Sequence, residues 1–201
     1  MLMMGLKANR YAAGVRGWTA AGLAGLFVLL SGCGGMMLSI ANVNTQDDTI
    51  KKTHSDRMTS NPLSCDSEDH MSYVPDVHLL IERYWGPDYR VKYRLIALVR
   101  GGGFIGIEEG EALVIMADGR RIGFSGPGGS AHMTSSGSTM IEEAWYDTAF
   151  DQLSALVEAK EIKLKITGKD YSVNRCFSLT NIDNFKVYLK YFPPYAAVEG
   201  R

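Results

Sequence analysis

From Val74 onward, apolar and polar residues alternate in short runs separated by turn residues. "YRVKYRLIALVR" (89–100) sets Val91, Tyr93 and Leu95 against Arg90, Lys92 and Arg94, then turns apolar on both faces. That pattern predicts a strand entering the interior of a sheet. "HLLIERYW" before it predicts another, with Gly86-Pro87-Asp88 as the turn. "ALVIMADGRRIGFS" places two apolar runs around Asp118-Gly119, a dipeptide suited to a tight hairpin, and "IEEAWYDT" predicts a further strand. The period then lengthens. Phe150, Leu153, Leu156 and Val157 follow Thr148 at helical spacing, with Asp151 completing a capping-box variant. "EIKLKITGKDYSVNRCF" reads as a hairpin turning at Gly168, with Ile162, Leu164 and Ile166 inward and Lys163 and Lys165 outward. A last helix is expected from about Thr180, with Asp183 in its first turn. Its apolar stripe is Ile182, Phe185, Leu189 and Phe192, and Pro193-Pro194 stop it.

Hairpin-linked strands with two covering helices predict an α+β domain: a mostly antiparallel sheet of about six strands with two helices packed on one face. This domain is expected over residues 73–195, with a short C-terminal tail at 196–201. Residues 33–72 break the pattern. "NVNTQDDTIKKTHSDRMTSNPLSCDSEDH" has no sustained apolar period and is rich in Ser, Thr, Asn and Asp. Such a composition buries too little apolar surface to offset the entropy of ordering, so a tether or surface arm is expected.

The first 32 residues differ again. Met1 to Trp18 carries Lys7, Arg10 and Arg16 and no acid, and Thr19 to Leu30 is almost entirely Ala, Gly, Leu, Phe and Val. The apolar run of about a dozen residues falls short of the ~20 that span a bilayer. A basic start, a short apolar stretch and small residues afterward make an export signal. Leu30-Ser31-Gly32-Cys33 then resembles the lipobox of bacterial lipoproteins. The resemblance covers the first 33 residues; the domain itself resembles no family. It implies cleavage before Cys33 and acylation of that cysteine's sulfur and new amino group, and several acyl chains anchor firmly. In this family an Asp after the cysteine retains the protein in the inner membrane. Gly34 stands there, which implies the outer membrane with the domain facing the periplasm. The implied partners are the membrane, through the anchor, and other envelope proteins.

Charge changes with the leader. The chain has 21 Lys plus Arg and 22 Asp plus Glu; without residues 1–32, 18 basic residues face 22 acidic ones, a net charge near −4. No basic stripe remains to neutralise phosphates, which argues against nucleic acid. With Cys33 given to lipid, Cys65 and Cys176 are an even pair in an oxidising compartment and are expected to form a disulfide. Two free thiols, or a dimer linked through Cys65, are the alternatives.

Candidate chemistry is sparse, and neither a cofactor nor a metal site is expected. "GFSGP" (123–127) approaches the nucleophile-elbow pattern around Ser125, but Pro127 replaces its last glycine and a loop follows instead of a helix. "GPGGSAHMTSSGS" reads as an irregular loop, whose Ser130 and His132 could line a ligand site with the loop 101–110. Gly101-Gly102-Gly103 in that second loop precedes Phe104 and Ile105, two apolar side chains it could present. "CDSEDH" offers Asp66, Glu68, Asp69 and His70 on an arm without a frame to converge them. His54 and His78 stand alone. "RYWGPDYR" gathers Tyr84, Trp85 and Tyr89 with Arg83 and Arg90 around a turn, the residue types of interface hot spots. Two readings follow: a lipid-anchored interaction or assembly module, or a small-ligand-binding or hydrolase-like domain with its site in loops 101–110 and 126–138.

Overall fold

In the computed structural model of the chain, residues 43–64, 75–101, 103–133 and 139–194 are described, all within the unit Met36–Arg201. The polar segment ahead of Cys65 forms β1 (Val43–Asp48), β2 (Thr53–Met58) and the short β3 (Pro62–Leu63). β4 (Asp76–Trp85) and β5 (Lys92–Gly101) are the strands expected on either side of Gly86-Pro87-Asp88. β6 (Gly110–Ala117) and β7 (Arg120–Gly126) are the expected hairpin. Its Asp118 and Gly119 have φ of 48° and 79°, the two positive angles of a type I′ turn. Then come β8 (Gly129–Met133), β9 (Met140–Thr148), α1 (Phe150–Val157), β10 (Ile162–Thr167), β11 (Ser172–Cys176) and α2 (Leu179–Tyr191).

All strand pairings are antiparallel. The first sheet has seven strands in the order β1-β2-β4-β5-β9-β8, with β3 beside β4; the second has four, β11-β10-β6-β7. The fold is α+β and mostly antiparallel, as the pattern predicts. The expected count of about six strands in one sheet is corrected to eleven in two among the described residues, for two reasons. Residues 43–63, assigned to the tether, pair with the domain, and residues 129–133, assigned to a loop, pair with β9.

Alternation sorts the side chains of the first sheet onto two faces. The inner face carries Val77, Leu79 and Ile81 of β4 with Leu95 and Ala97 of β5. These join Leu113 and Ile115 of β6, Leu164 and Ile166 of β10, and Leu153, Leu156 and Phe185 of the helices in one apolar core. Gln152, not Asp151, caps α1: its side-chain oxygen accepts from the Ala149 N–H at 3.1 Å and from the Thr148 hydroxyl at 3.1 Å. α2 starts on a reciprocal box, Ser178 and Asn181 each accepting from the other's backbone N–H.

Candidate functional site

The outer face of the first sheet is unusual because its middle is apolar and its cover is charged. Cross-strand register aligns Arg57 with Glu82, Arg94 and Asp147, and aligns His78 with Leu98 and Glu143. Arg57 on β2 nevertheless reaches Glu143 on β9 in a two-pronged ion pair, at 3.1 and 2.7 Å, across two intervening strands. The pair crosses diagonally over Leu80 and Ile96, which occupy the row between and are buried. Beside it, Arg94 bonds Glu82 and lies between two rings, 4.8 Å from Tyr84 and 4.4 Å from Trp145. Tyr84 donates to Asp147 at 3.1 Å, and the Trp145 indole N–H donates to Glu143. Burial raises the Glu143 carboxyl, but hydrogen bonds from Arg57 and Trp145 outweigh that and hold it below the usual carboxylate range. Burial, then the neighbouring Asp147 carboxylate, push the Tyr84 phenol up.

This lattice ends in an open cleft of about 700 Å³ between the β1–β2 and β4–β5 ends of the sheet, lined by Asp48, Lys51, Tyr84, Trp85, Asp88 and Lys92 among others. Trp85 stacks on His54 with ring centroids 3.8 Å apart, and the Arg83 guanidinium lies over the Trp85 ring, 5.0 Å from its centroid. His54 also faces Asp47 at 2.6 Å and Asp56 at 3.1 Å, and Asp56 pairs with Arg83 at 2.6 Å. The two turns flanking the cleft carry the most exposed apolar side chains of the pair of hairpins: Ile50, 93% exposed, and Tyr89, 61% exposed. Tyr89 has φ of 54°, a left-handed conformation that is costly for an aromatic residue and is tolerated where the surroundings over-determine it. The three aromatic residues singled out in the sequence therefore separate in role: Tyr84 and Trp85 brace the sheet end, and Tyr89 projects from it.

The second sequence candidate takes a different form. β7 and β8 pass from one sheet to the other through Gly126 to Gly129, and a Cβ on Gly126 would come 2.4 Å from the Trp145 carbonyl oxygen. Gly126 and Gly128 there allow close approach of backbones, and residues 129–133, expected within the loop 126–138, form β8 paired with β9. Ser130 is an exposed residue of β8, His132 belongs to the same strand, and Ser125 is an exposed residue of β7. Ile105 is buried, whereas Phe104 is 37% exposed. The loop around them is held by Glu142, a residue of β9 that sequence reasoning missed. Its carboxylate accepts backbone N–H bonds from Ile105 at 2.9 Å, Gly106 at 3.1 Å and Ile107 at 2.5 Å. An open cleft of about 720 Å³ lies alongside, lined by Phe104, Glu108, Glu109 and Lys169 among others. Glu142 at its base is spent on backbone donors.

His78 is a structural residue. Its Nδ1 accepts from the Asn61 N–H at 3.3 Å, so Nε2 carries the proton and faces Asp76 at 2.9 Å. No group of three or more His, Cys, Asp or Glu that could hold a metal occurs among the described residues, and none of their helices is long and apolar enough to cross a membrane. Cys33, Cys65, Asp66, Glu68, Asp69 and His70 lie outside the described residues. Cys176, half-buried at the end of β11 opposite Lys163, is disulfide-bonded. No protein-family model matches the chain, and no curated protein matches it.

Proposed function

We propose that the chain is an envelope lipoprotein, acylated at Cys33 and held at the periplasmic face of the outer membrane, whose β-rich domain is an interaction or assembly module. The lipobox-like Leu30-Ser31-Gly32-Cys33 supports the anchor. The observation that carries the module is the paired hairpin tip: Ile50 and Tyr89 exposed on neighbouring turns, the second in a strained backbone, above a braced aromatic and charged base. Interfaces concentrate energy in aromatic anchors surrounded by a polar rim. In the finer layout we propose, both helices pack on the inner face of the first sheet. Phe150 of α1 lies 5.5 Å from Tyr93, and the Tyr188 hydroxyl of α2 accepts from the Arg83 N–H and donates to the Asp56 carbonyl. The disulfide of Cys176 is assigned to Cys65 in this reading.

Two measurements test it. Cys33→Ala should leave the precursor at its uncleaved, unacylated mass; processing and membrane fractionation like the parent chain would refute the anchor. A photocrosslinking residue in place of Tyr89 should give a discrete protein adduct in intact envelopes, whereas the same residue in place of Lys165, on the wet face of the second sheet, should give none. Equal or absent labelling at the two positions would refute the tip as the docking surface.

A further inference from the structure

The floor of the cleft between the β1–β2 and β4–β5 turns is one cross-strand row. Gln46 pairs with Ser55, Ser55 with Tyr84, and Tyr84 with Lys92, so the four side chains stand on one face of β1, β2, β4 and β5. All four line the cleft. Three strand spacings of ~4.8 Å make the row roughly 14 Å long. The Tyr84 ring is fixed before any ligand arrives: Arg94 lies 4.8 Å from its centroid, and its hydroxyl donates to Asp147 at 3.1 Å. Gln46, Ser55 and Lys92, by contrast, make no side-chain hydrogen bond or ion pair among the described residues.

Charge in the cleft selects neither sign of ligand. Asp48, Glu82 and Asp88 line it together with Lys51, Lys92 and Arg94. Lys51 faces Asp48 at 3.9 Å, and Arg94 bonds Glu82. Asp88 gives one oxygen to the Arg90 N–H at 3.2 Å and keeps the other. What remains is an amide, a hydroxyl, an ammonium and a carboxylate oxygen beside a tyrosine ring. Donors and acceptors are both present, which suits hydroxyl groups, since each of them donates and accepts. The middle of the row is also interior to the sheet. β2 and β4 are paired on both sides, so a peptide lying on them finds no strand edge to extend.

We propose that this cleft binds a short neutral oligosaccharide. A sugar-ring C–H face rests on Tyr84, and the hydroxyls bond Gln46, Ser55, Lys92 and Asp88. The volume of about 700 Å³ is that of a small-molecule site, where a few placed polar groups beside aromatic surface orient the ligand. The fixed tyrosine ring lowers the ordering cost of binding. The inference goes beyond the interaction-module reading and depends on neither the anchor nor a partner protein.

The test uses the full chain in a detergent that carries no sugar, and saturation-transfer NMR. Cellotriose and chitotriose are the neutral probes, and trigalacturonate is the acidic one. At least one neutral trisaccharide should bind with a Kd of about 1 mM or tighter, taking up saturation mainly at its ring protons. A Gln46→Ala, Lys92→Met double variant should bind it at least about five-fold more weakly while keeping the parent Tm, because neither side chain holds the fold. Ser55→Ala, which removes a single hydroxyl, should weaken binding in the same direction whatever the Tm of the double variant. Lys165→Ala, on the second sheet, should bind like the parent chain. Binding of neither neutral probe at that strength, binding of trigalacturonate alone, or parental affinity in the cleft variants would overturn the proposal.

Discussion

Replacing Glu142 with glutamine tests whether the β5–β6 loop is organised by one buried carboxylate. Glu142 is 3% exposed, and its two oxygens accept three backbone N–H groups. The amide keeps one acceptor oxygen, which can stay with the Ile105 and Gly106 donors, and turns an NH₂ group against the Ile107 N–H. One buried donor is then orphaned, at about 1–3 kcal/mol, and charge-assisted bonds become neutral ones. We expect a loss of about 2–3 kcal/mol. For a domain of this size, each kcal/mol lowers Tm by roughly 2–4 °C, so calorimetry should show a fall of about 4–12 °C. Hydrogen exchange should accelerate at residues 105–107 before it does in the core strands. Glu142→Leu orphans all three donors and should cost more. A Tm within about 1 °C of the parent chain, with unchanged protection at 105–107, would refute the assignment of Glu142 as the clamp.

Other outcomes are independent of that loop. A Cβ at Gly119 would meet no atom within 4 Å, but Gly119→Val must adopt φ near +79°, which costs roughly 1–2 kcal/mol; Tm should fall by several degrees, and Gly119→Asn should fall less. Glu143 binds its proton less tightly folded than unfolded, because its carboxyl is held below the ordinary value. Its contribution is therefore present above the unfolded carboxylate range near pH 4.3 and is lost as pH falls through the folded value. Arg57→Met should flatten stability between about pH 5 and pH 3, as read from denaturant midpoints; an unchanged acid slope would count against the pair. Non-reducing mass spectrometry should give one cross-linked peptide joining Cys65 to Cys176, whereas two alkylatable thiols would exclude it.

How much of this was legible depends on which forces shaped each segment. β6, β7, β10 and β11 are legible from apolar runs that face the core, and β4 and β5 from longer runs apolar on both faces, since their middles are covered on the outer face as well. β1 and β2 are not, because their inner-face residues Thr45, Asp47, His54 and Asp56 are satisfied by polar partners. Asp56 is buried against Arg83 and accepts from the Thr45 hydroxyl at 2.8 Å. Sequence composition treats such residues as evidence for disorder, but a charged partner on a neighbouring strand makes them strand residues. β8 was hidden for the opposite reason: the glycines at and before its start signal a loop locally, while here Gly126 and Gly128 let backbones approach and Gly129 makes room for the Glu142 side chain. Glu142 carried no signal. Nothing in "IEEAWYDT" marks which of its two glutamates turns inward until register sets Glu142 on the core face and Glu143 on the outer one.

The same two neighbouring glutamates show how one strand serves two ends of the domain. On the inner face, Glu142 holds the loop that brings Phe104 beside the β10–β11 turn. On the outer face, Glu143 receives Arg57 and Trp145 and so braces the lattice beneath the Tyr84–Tyr89 turn. A lattice of this kind contributes modestly to stability, since partly exposed ion pairs are typically worth under about 1 kcal/mol each. Its geometric effect is larger. Fixing β2 to β9 across β4 and β5 limits how far the sheet can flex between the end bearing Asp76 and Arg100 and the end bearing Ile50 and Tyr89.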